Sequence, residues 1–284
     1  MNVCYYFFKE QVRYYDKADV LAFFQSMKEF KIEQQNEEYH LIYTNEFLDF
    51  SAKFVLGNKS VVPHIEKLNP AFYDINIRLE VPVLLPTFKA SILFDICKEL
   101  CQKFNFYIYN ELYEDVSSFR LPMLVQAYNK IKQAYKMKYE DEFLDYYKAS
   151  AKELDAVFSY LLNKTTIEAK YKDEKLIALD YAFLAEKGDR NIKFAVRYDG
   201  FSPFILPPFV NYIIYMDKDI RYISASEFLD KCGKIIKMAE TNVFGVTYIT
   251  LKDMKKVRKI LKKTKFTLIP NTFIEVDQTK LLDL

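Results

Sequence analysis

Two periods of apolar positions alternate along the chain, and they predict a mixture of strands and helices. Over residues 74–83 the branched side chains occupy every second position, as they do in a half-buried strand. After Pro86 the apolar residues recur every three or four positions instead, which predicts a helix with one buried face. The side chains expected on that face are Phe88, Ile92, Leu93, Ile96, Leu100 and Phe104.

The first 112 residues predict one domain that alternates strands and helices. A further helix is expected after Asp16, whose carboxylate can cap it. Further strands are expected at residues 2–8, 39–43, 47–56 and 106–109. The resulting order, β-α-β-β-β-α-β, corresponds to a split β-α-β layer with one strand added. We therefore expect a ferredoxin-like α+β domain over residues 1–112.

The pattern changes to long helical stripes in the middle of the chain. Residues 113–164 predict a helical connector or hairpin, which a charged turn interrupts near residues 136–142. Residues 165–284 return to a mixture of strands and helices. The fold class expected for the whole chain is α+β, with three parts: the ferredoxin-like layer, the helical segment and a C-terminal α+β domain.

The C-terminal part carries two helix starts with capping-box spacing. Ser224 with Glu227, and Thr250 with Asp253, can each satisfy free backbone N–H groups at the beginning of a helix. Short strands are expected around them at residues 166–171, 176–183, 192–198, 211–216, 220–223, 243–249, 266–268 and 273–276.

Composition argues for a packed chain without a nucleotide cofactor. Hydrophobic residues make up 51% and charged residues 28% of the sequence, which is enough apolar material to build a core. The chain has only five glycines, and no two of them lie close enough to form a glycine-rich phosphate loop. We expect no cofactor of that kind.

Cysteine usage and hydropathy indicate the compartment. Four cysteines in 284 residues do not form a disulfide framework, so reduced thiols are expected. No uncharged apolar stretch approaches the roughly 20 residues that span a bilayer, and the N-terminus lacks the features of a signal peptide. We expect a soluble cytoplasmic protein with no membrane span.

A basic helix over residues 251–265 is the strongest local feature. Its lysines could bind nucleic-acid phosphates, an anionic membrane or an acidic partner. Because lysines distributed around a helix would reach only a few phosphates at once, we expect a solvated face, and nucleic-acid binding is the alternative. The candidate basic surface is Lys252, Lys255, Lys256, Lys259, Lys262 and Lys263.

The segment between residues 198 and 215 is unusually apolar, with hardly any charge. It is either buried under the fold's own sheet or a surface that contacts a partner. Its prolines restrict the backbone, so docking would cost little entropy. The candidate partner surface is Phe201, Phe204, Pro207, Pro208, Phe209 and Tyr212.

Catalytic motifs are weak. His40 and His64, the two histidines, fall in no recognised motif. Cys97 and Cys101 share one helix face and are expected in the core rather than on a metal. Glu168 and Lys170 on the strand expected at 166–171 resemble part of a metal-dependent nuclease site, which would need Asp155, a residue expected on a helix.

Taken together, these features favour a non-catalytic intracellular protein that acts by binding another protein. It could be a subunit of an assembly or a neutraliser of the toxin-immunity type. The alternatives are a nucleic-acid-binding protein that uses the basic helix 251–265, and a metal-dependent hydrolase with dispersed carboxylates.

We predict that the purified protein folds and stays monodisperse without metal or cofactor, because the sequence has no glycine-rich phosphate loop and no metal-ligand motif. Native mass spectrometry and elemental analysis check this. A stoichiometric metal ion or nucleotide in the purified protein would contradict the prediction.

Overall fold

The computed structural model describes residues 1–216, 220–267, 269 and 272–283. The chain divides into two units, Met1–Leu144 and Asp145–Leu284, each with its own core. Both units combine helices with largely antiparallel sheets, which confirms the α+β class. The boundary between the units lies inside the segment expected to be a helical connector, and the division at residues 112 and 164 stays a prediction.

All residues of the first unit are described, and they form one sheet and three α-helices. The strands are β1 (Asn2–Glu10), β2 (Phe30–Gln35), β3 (Glu38–Asn45), β4 (Phe50–Leu56), β5 (Phe72–Pro82) and β6 (Tyr107–Tyr109). The helices are α1 (Lys17–Gln25), α2 (Thr87–Phe104) and α3 (Leu121–Lys138).

The sheet of the first unit has the strand order β2-β3-β4-β5-β1-β6, with antiparallel neighbours throughout. Strands β5 and β6 are joined through α2 and enclose β1, which is a split β-α-β connection. The sheet has one strand more than expected, because α1 ends at Gln25 and Phe30 begins β2 rather than continuing the helix. The ferredoxin-like assignment within the α+β class stays a prediction.

Strand β1 is buried on both faces. On the helix side, the ring of Tyr5 meets that of Phe94 of α2 edge-on at 5.1 Å between centroids. On the other side, Tyr6 and Phe8 pack with Val62 and Tyr109. Aromatic rings at such distances add to the free energy gained by burial.

Helix α2 begins after Pro86 as predicted, but its buried face is rotated. Leu93 and Leu100 are buried, whereas Phe88, Ile92, Ile96 and Phe104 are only half-buried. Helix α3 packs beside α2, with the ring of Tyr128 at 6.3 Å from that of Phe94. This second contact draws another flank of α2 into the core, and its side chains are Lys89, Ala90, Phe94, Cys97 and Cys101.

The second unit is built from short strands and three described α-helices. The described strands are β7 (Tyr147–Ala149), β8 (Ile177–Ala178), β9 (Tyr181–Glu186), β10 (Lys193–Tyr198), β11 (Phe204–Leu206), β12 (Tyr212–Met216), β13 (Ile220–Ser224), β14 (Lys237–Met238), β15 (Thr247–Ile249), β16 (Phe273–Val276) and β17 (Leu281–Asp283). The helices are α4 (Ala151–Lys170), α5 (Ala225–Cys232) and α6 (Met254–Lys263). The described strands are arranged as β13-β12-β10-β9-β16, β14-β15-β11-β8 and the pair β17-β7.

Several strand predictions for this unit were wrong. Residues 166–170 belong to α4, which the capping box of Ser150 and Glu153 starts and which buries Ile167 on the same stripe as Tyr160, two turns earlier. The strand expected at 176–183 is divided between β8 and β9. The strand expected at 243–249 is reduced to β15, because Gly245 turns the chain at a φ of +87°.

The remaining predictions near the C-terminus have mixed outcomes. Phe266 and Thr267 are not in a strand, and Leu268 lies outside the described residues. The hydroxyl of Ser224 accepts a hydrogen bond from the Glu227 amide as predicted, but the Glu227 carboxylate accepts from Thr267 instead of completing the capping box. Thr250 makes no capping hydrogen bond.

We predict that Leu100→Ala lowers the free energy of unfolding by about 2–5 kcal/mol, because the buried Leu100 side chain leaves a cavity. Denaturant titration followed by circular dichroism measures this change. Lys98→Ala, at an exposed position of the same helix, is the control and should change stability by less than about 0.5 kcal/mol. A loss of that small size for Leu100→Ala would contradict the prediction.

Candidate functional site

The middle of the apolar segment is buried in the second unit. The ring of Phe204 in β11 contacts that of Tyr198 at 4.4 Å, and Pro207 and Pro208 that follow are also buried. Tyr212 in β12 is half-buried against Phe273 at 5.3 Å. These residues therefore stabilise the fold.

Two phenylalanines of the segment remain exposed, one on each side of its buried middle. Phe201 is 53% exposed and Phe209 is 38% exposed. Phe209 has a φ of +54°, a left-handed conformation that is uncommon for an aromatic residue. The candidate partner surface is thus reduced to these two rings.

A hydrogen-bonded turn presents Phe201. The carboxylate of Asp199 accepts from the backbone amides of Phe201 at 2.7 Å and Ser202 at 3.0 Å, and from the Ser202 hydroxyl at 2.8 Å. Burial alone would raise the pKa of Asp199, but these hydrogen bonds and the charge of Arg258 lower it. The carboxylate is therefore ionised at neutral pH and holds the turn in place.

Gly200 is required in this turn for two reasons. Its φ is +79°, which L side chains rarely adopt, and a Cβ at this position would lie 2.4 Å from Cε2 of Tyr215. The backbone therefore passes the Tyr215 ring more closely than any other residue type allows.

The turn meets the basic helix. The Arg258 guanidinium of α6 lies over the Phe201 ring at 5.0 Å and donates a hydrogen bond to the Phe201 carbonyl oxygen at 3.2 Å. The two candidate surfaces, about 50 residues apart in the sequence, are adjacent at this point.

The candidate lysines of the basic helix share one face. Met254, Val257 and Leu261 are buried, and all six candidate lysines are exposed. At about 100° per residue, the five lysines that lie within α6 occupy an arc of about 120° opposite the buried stripe. The lysines therefore do not point in several directions, although that was the reason for expecting few phosphate contacts.

A cleft elsewhere in the second unit was not predicted from the sequence. It has a volume of about 590 Å³, and its walls come from α4, from the turn before β12 and from the loop between β14 and β15. The ring of Phe244 at its mouth is 88% exposed. The lining residues are Lys152, Asp155, Ala156, Ser159, Pro208, Phe209, Asn242, Val243, Phe244 and Gly245.

The sequence signal for this cleft was present but was interpreted as a strand. Phe244 precedes Gly245, and a glycine inside an apolar run can mark a turn as well as a strand. Gly245 has a φ of +87°. A Cβ added at this position would lie 3.3 Å from the Cβ atom of Pro208, so the two backbone segments pass close to each other. Phe244 and Phe209 consequently line the same cleft.

The catalytic candidates do not converge. Glu168 and Lys170 lie on α4 rather than on a strand, and Oε1 of Glu168 accepts from the Ala178 amide at 3.2 Å. Burial raises the pKa of Cys97, and that of Cys101 to about 12, so both thiols stay protonated in the core. Among the residues that the structure describes, no three His, Cys, Asp or Glu side chains are grouped so that they could hold a metal ion.

No helix in the described ranges has the length and apolar character needed to cross a membrane. Comparisons with protein-family models, with curated proteins and with solved structures return no match for this chain. The function is therefore argued from the geometry of the two exposed surfaces.

We predict that Gly200→Ala destabilises the protein more than Gly188→Ala. Both glycines have a positive φ, which costs an alanine about 1–2 kcal/mol, but a Cβ at Gly188 meets nothing within 4 Å. The clash with Tyr215 should add about 1–3 kcal/mol at Gly200. Denaturant titration measures both variants, and equal losses would contradict the prediction.

Proposed function

We propose that this is a non-catalytic binding protein whose cleft, formed by α4, Phe209 and Phe244, accepts an apolar segment of another protein. The observation that carries the proposal is the exposure of Phe244, whose ring is 88% accessible at the mouth of the cleft. Exposing a large aromatic ring costs free energy that burial against a partner would recover.

The loop that carries Phe244 is held in place. The Tyr171 hydroxyl accepts from the Glu240 amide at 2.9 Å, and Asn242 donates from Nδ2 to Oδ1 of Asn163 at 3.1 Å. Val243 is buried and anchors the loop from below. The position of Phe244 is thus determined before a partner arrives, which reduces the entropy lost on binding.

The opposite wall of the cleft is equally constrained. The Tyr181 hydroxyl donates to the carbonyl oxygen of Pro208, and the proline ring fixes the backbone just before Phe209. Asn211, two residues later, receives a hydrogen bond at its Oδ1 from the Phe194 amide at 2.7 Å. Phe209, whose backbone has the left-handed conformation, is therefore held between Pro208 and Asn211.

Charges at the rim indicate the chemistry of the partner. Lys152 and Asp155 lie one turn apart on α4 along one wall, and burial together with the charge of Asp283 raises the pKa of Asp155. A segment that places an apolar side chain between Phe209 and Phe244 and polar groups on either side would complement this wall. A small ligand would leave most of Phe244 exposed, whereas a protein segment can cover it.

We further propose that this binding takes place in the cytoplasm. Cys4, Cys97, Cys101 and Cys232 are all free thiols, and burial raises the pKa of each. Free thiols persist in a reducing compartment. Both an assembly subunit and a neutraliser of the toxin-immunity type would act by this kind of binding.

The test is photo-crosslinking from position 244. A benzoylphenylalanine placed there in the cells that produce the protein should couple to a defined peptide of one partner, which mass spectrometry identifies. The same group at Ile220, which is 63% exposed on β13 and outside the cleft, is the control and should not couple to that peptide. Equal coupling from both positions, or none from position 244, would contradict the proposal.

We predict that Phe244→Ala weakens binding of the identified peptide at least tenfold, which is about 1.4 kcal/mol. Loss of an aromatic side chain at the centre of an interface has effects of this size or larger. Isothermal titration calorimetry measures the affinity, and Ile220→Ala should leave it unchanged. Unaltered affinity of Phe244→Ala would exclude the cleft as the binding site.

A further inference from the structure

The exposed side of α6, together with Lys252 in the turn before it, forms a second surface, which we call the lysine face. It consists of Lys252, Lys255, Lys256, Lys259, Lys262 and Lys263. We propose that the lysine face binds the phosphate backbone of nucleic acid, an activity separate from that of the cleft.

The orientation of the lysine face is set by the fold. Met254, Val257 and Leu261 are buried, and Arg258 is held on Phe201 by ring stacking and a hydrogen bond. The helix therefore cannot turn about its axis. Its five lysines project together along about 12 Å of helix, from Lys255 to Lys263.

The described carboxylates neutralise little of the charge on the lysine face. In the described part of the chain, Lys256 is the only member with a carboxylate at ion-pair distance, Asp253 at 3.0 Å. Residues 231–265 contain eleven Lys or Arg and two acidic residues, a formal charge of +9 in a chain whose total is +2. Like charges three or four residues apart on a helix repel each other, so an external polyanion would relieve repulsion that folding leaves in place.

The regular spacing of the lysines is compatible with the phosphates of a nucleic-acid strand. The lysines follow one another on successive helical turns, about 5.4 Å apart, and a nucleic-acid strand offers charge at similarly regular intervals. An acidic helix would present carboxylates at the same interval, so the choice of nucleic acid rests on the exposed Phe201 ring beside the lysine face, on which an unpaired base can stack.

The position of the apolar stripe disfavours a membrane. A helix that binds at a lipid surface inserts its apolar side into the bilayer, whereas the apolar side of α6 is buried in the unit. The exposed aromatic ring beside the lysine face, Phe201, is instead placed where an unpaired base could stack on it.

Fluorescence polarisation with the 284-residue chain tests the proposal. The probes are a labelled 20-nucleotide single-stranded RNA and the matching single-stranded and double-stranded DNA, titrated between 50 and 200 mM KCl. With four or five phosphate contacts, the logarithm of the affinity for a single strand should fall against the logarithm of salt with a slope of about −3. A dissociation constant near 10⁻⁶ M at 150 mM salt is expected, at the tight end of the non-specific range, which runs to about 10⁻⁴ M.

Two charge-reversal variants distinguish binding by the lysine face from a general effect of net charge. The variant Lys255→Glu, Lys259→Glu, Lys262→Glu should lose at least tenfold in affinity and reduce the salt slope by about two. The control variant carries the same change in net charge at exposed lysines of the same unit, Lys172→Glu, Lys175→Glu and Lys187→Glu, and should lose less than threefold. If the first variant does not fold by circular dichroism, the corresponding Lys→Gln triple variant replaces it.

Phe201→Ala provides a second readout. It should weaken single-stranded binding severalfold without changing the salt slope, and should leave double-stranded binding unchanged, because only unpaired bases can stack on the ring. Phe244→Ala should leave nucleic-acid binding unchanged, so that failure of the lysine face and failure of the cleft are distinguishable.

Three outcomes would overturn the proposal. One is binding no tighter than about 10⁻⁴ M at 150 mM salt. Another is an equal loss in the two charge-reversal variants. The last is tighter binding to polyglutamate, or to vesicles of phosphatidylserine and phosphatidylcholine, than to RNA and DNA, which would assign the face to an acidic protein or to a membrane.

Discussion

The requirement to bury β1 on both faces organises the N-terminal unit. Tyr5 and Phe7 need a cover of helices on one side of the sheet, and Tyr6 and Phe8 need a second cover on the other. Antiparallel pairing with β5 and β6 satisfies the backbone of β1, and the connection between these two strands supplies α2 on the helix side.

In the C-terminal unit, burial of the narrow apolar stripe of α6 leaves a charged surface exposed. Helix α6 places Met254, Val257 and Leu261 in the core, and everything else on the helix is thereby directed outward. The lysines cluster because the helix offers no other place for them, and the Asp199 turn adds Arg258 and Phe201 to the same edge. One hydrophobic contact thus creates a concentrated charge, and among the described residues Asp253 is the one carboxylate at ion-pair distance from it.

The cleft combines an exposed aromatic ring with a tightly held backbone. Its walls consist of anchored backbone, through Pro208 on one side and the loop held by Tyr171 and Asn163 on the other. Rigid surroundings with an exposed ring are typical of a preorganised contact surface. The cleft and the lysine face draw on separate side chains, so that the two proposed activities can be altered one at a time.

The sequence by itself determined the α+β class, the start of α2 after Pro86, the cap at Asp16, whose carboxylate accepts from the Ala18 amide, and the buried stripe of α6, because short-range spacing and capping encode these features. It did not determine which flank of α2 is buried, since that depends on α3, nor that residues 166–170 extend α4. The cleft joins three segments, at residues 152–159, 208–209 and 242–245, that no local pattern connects. Only the tertiary structure decided that Phe204 is buried while Phe209 and Phe244 are exposed, because burial depends on which distant segments pack against each ring.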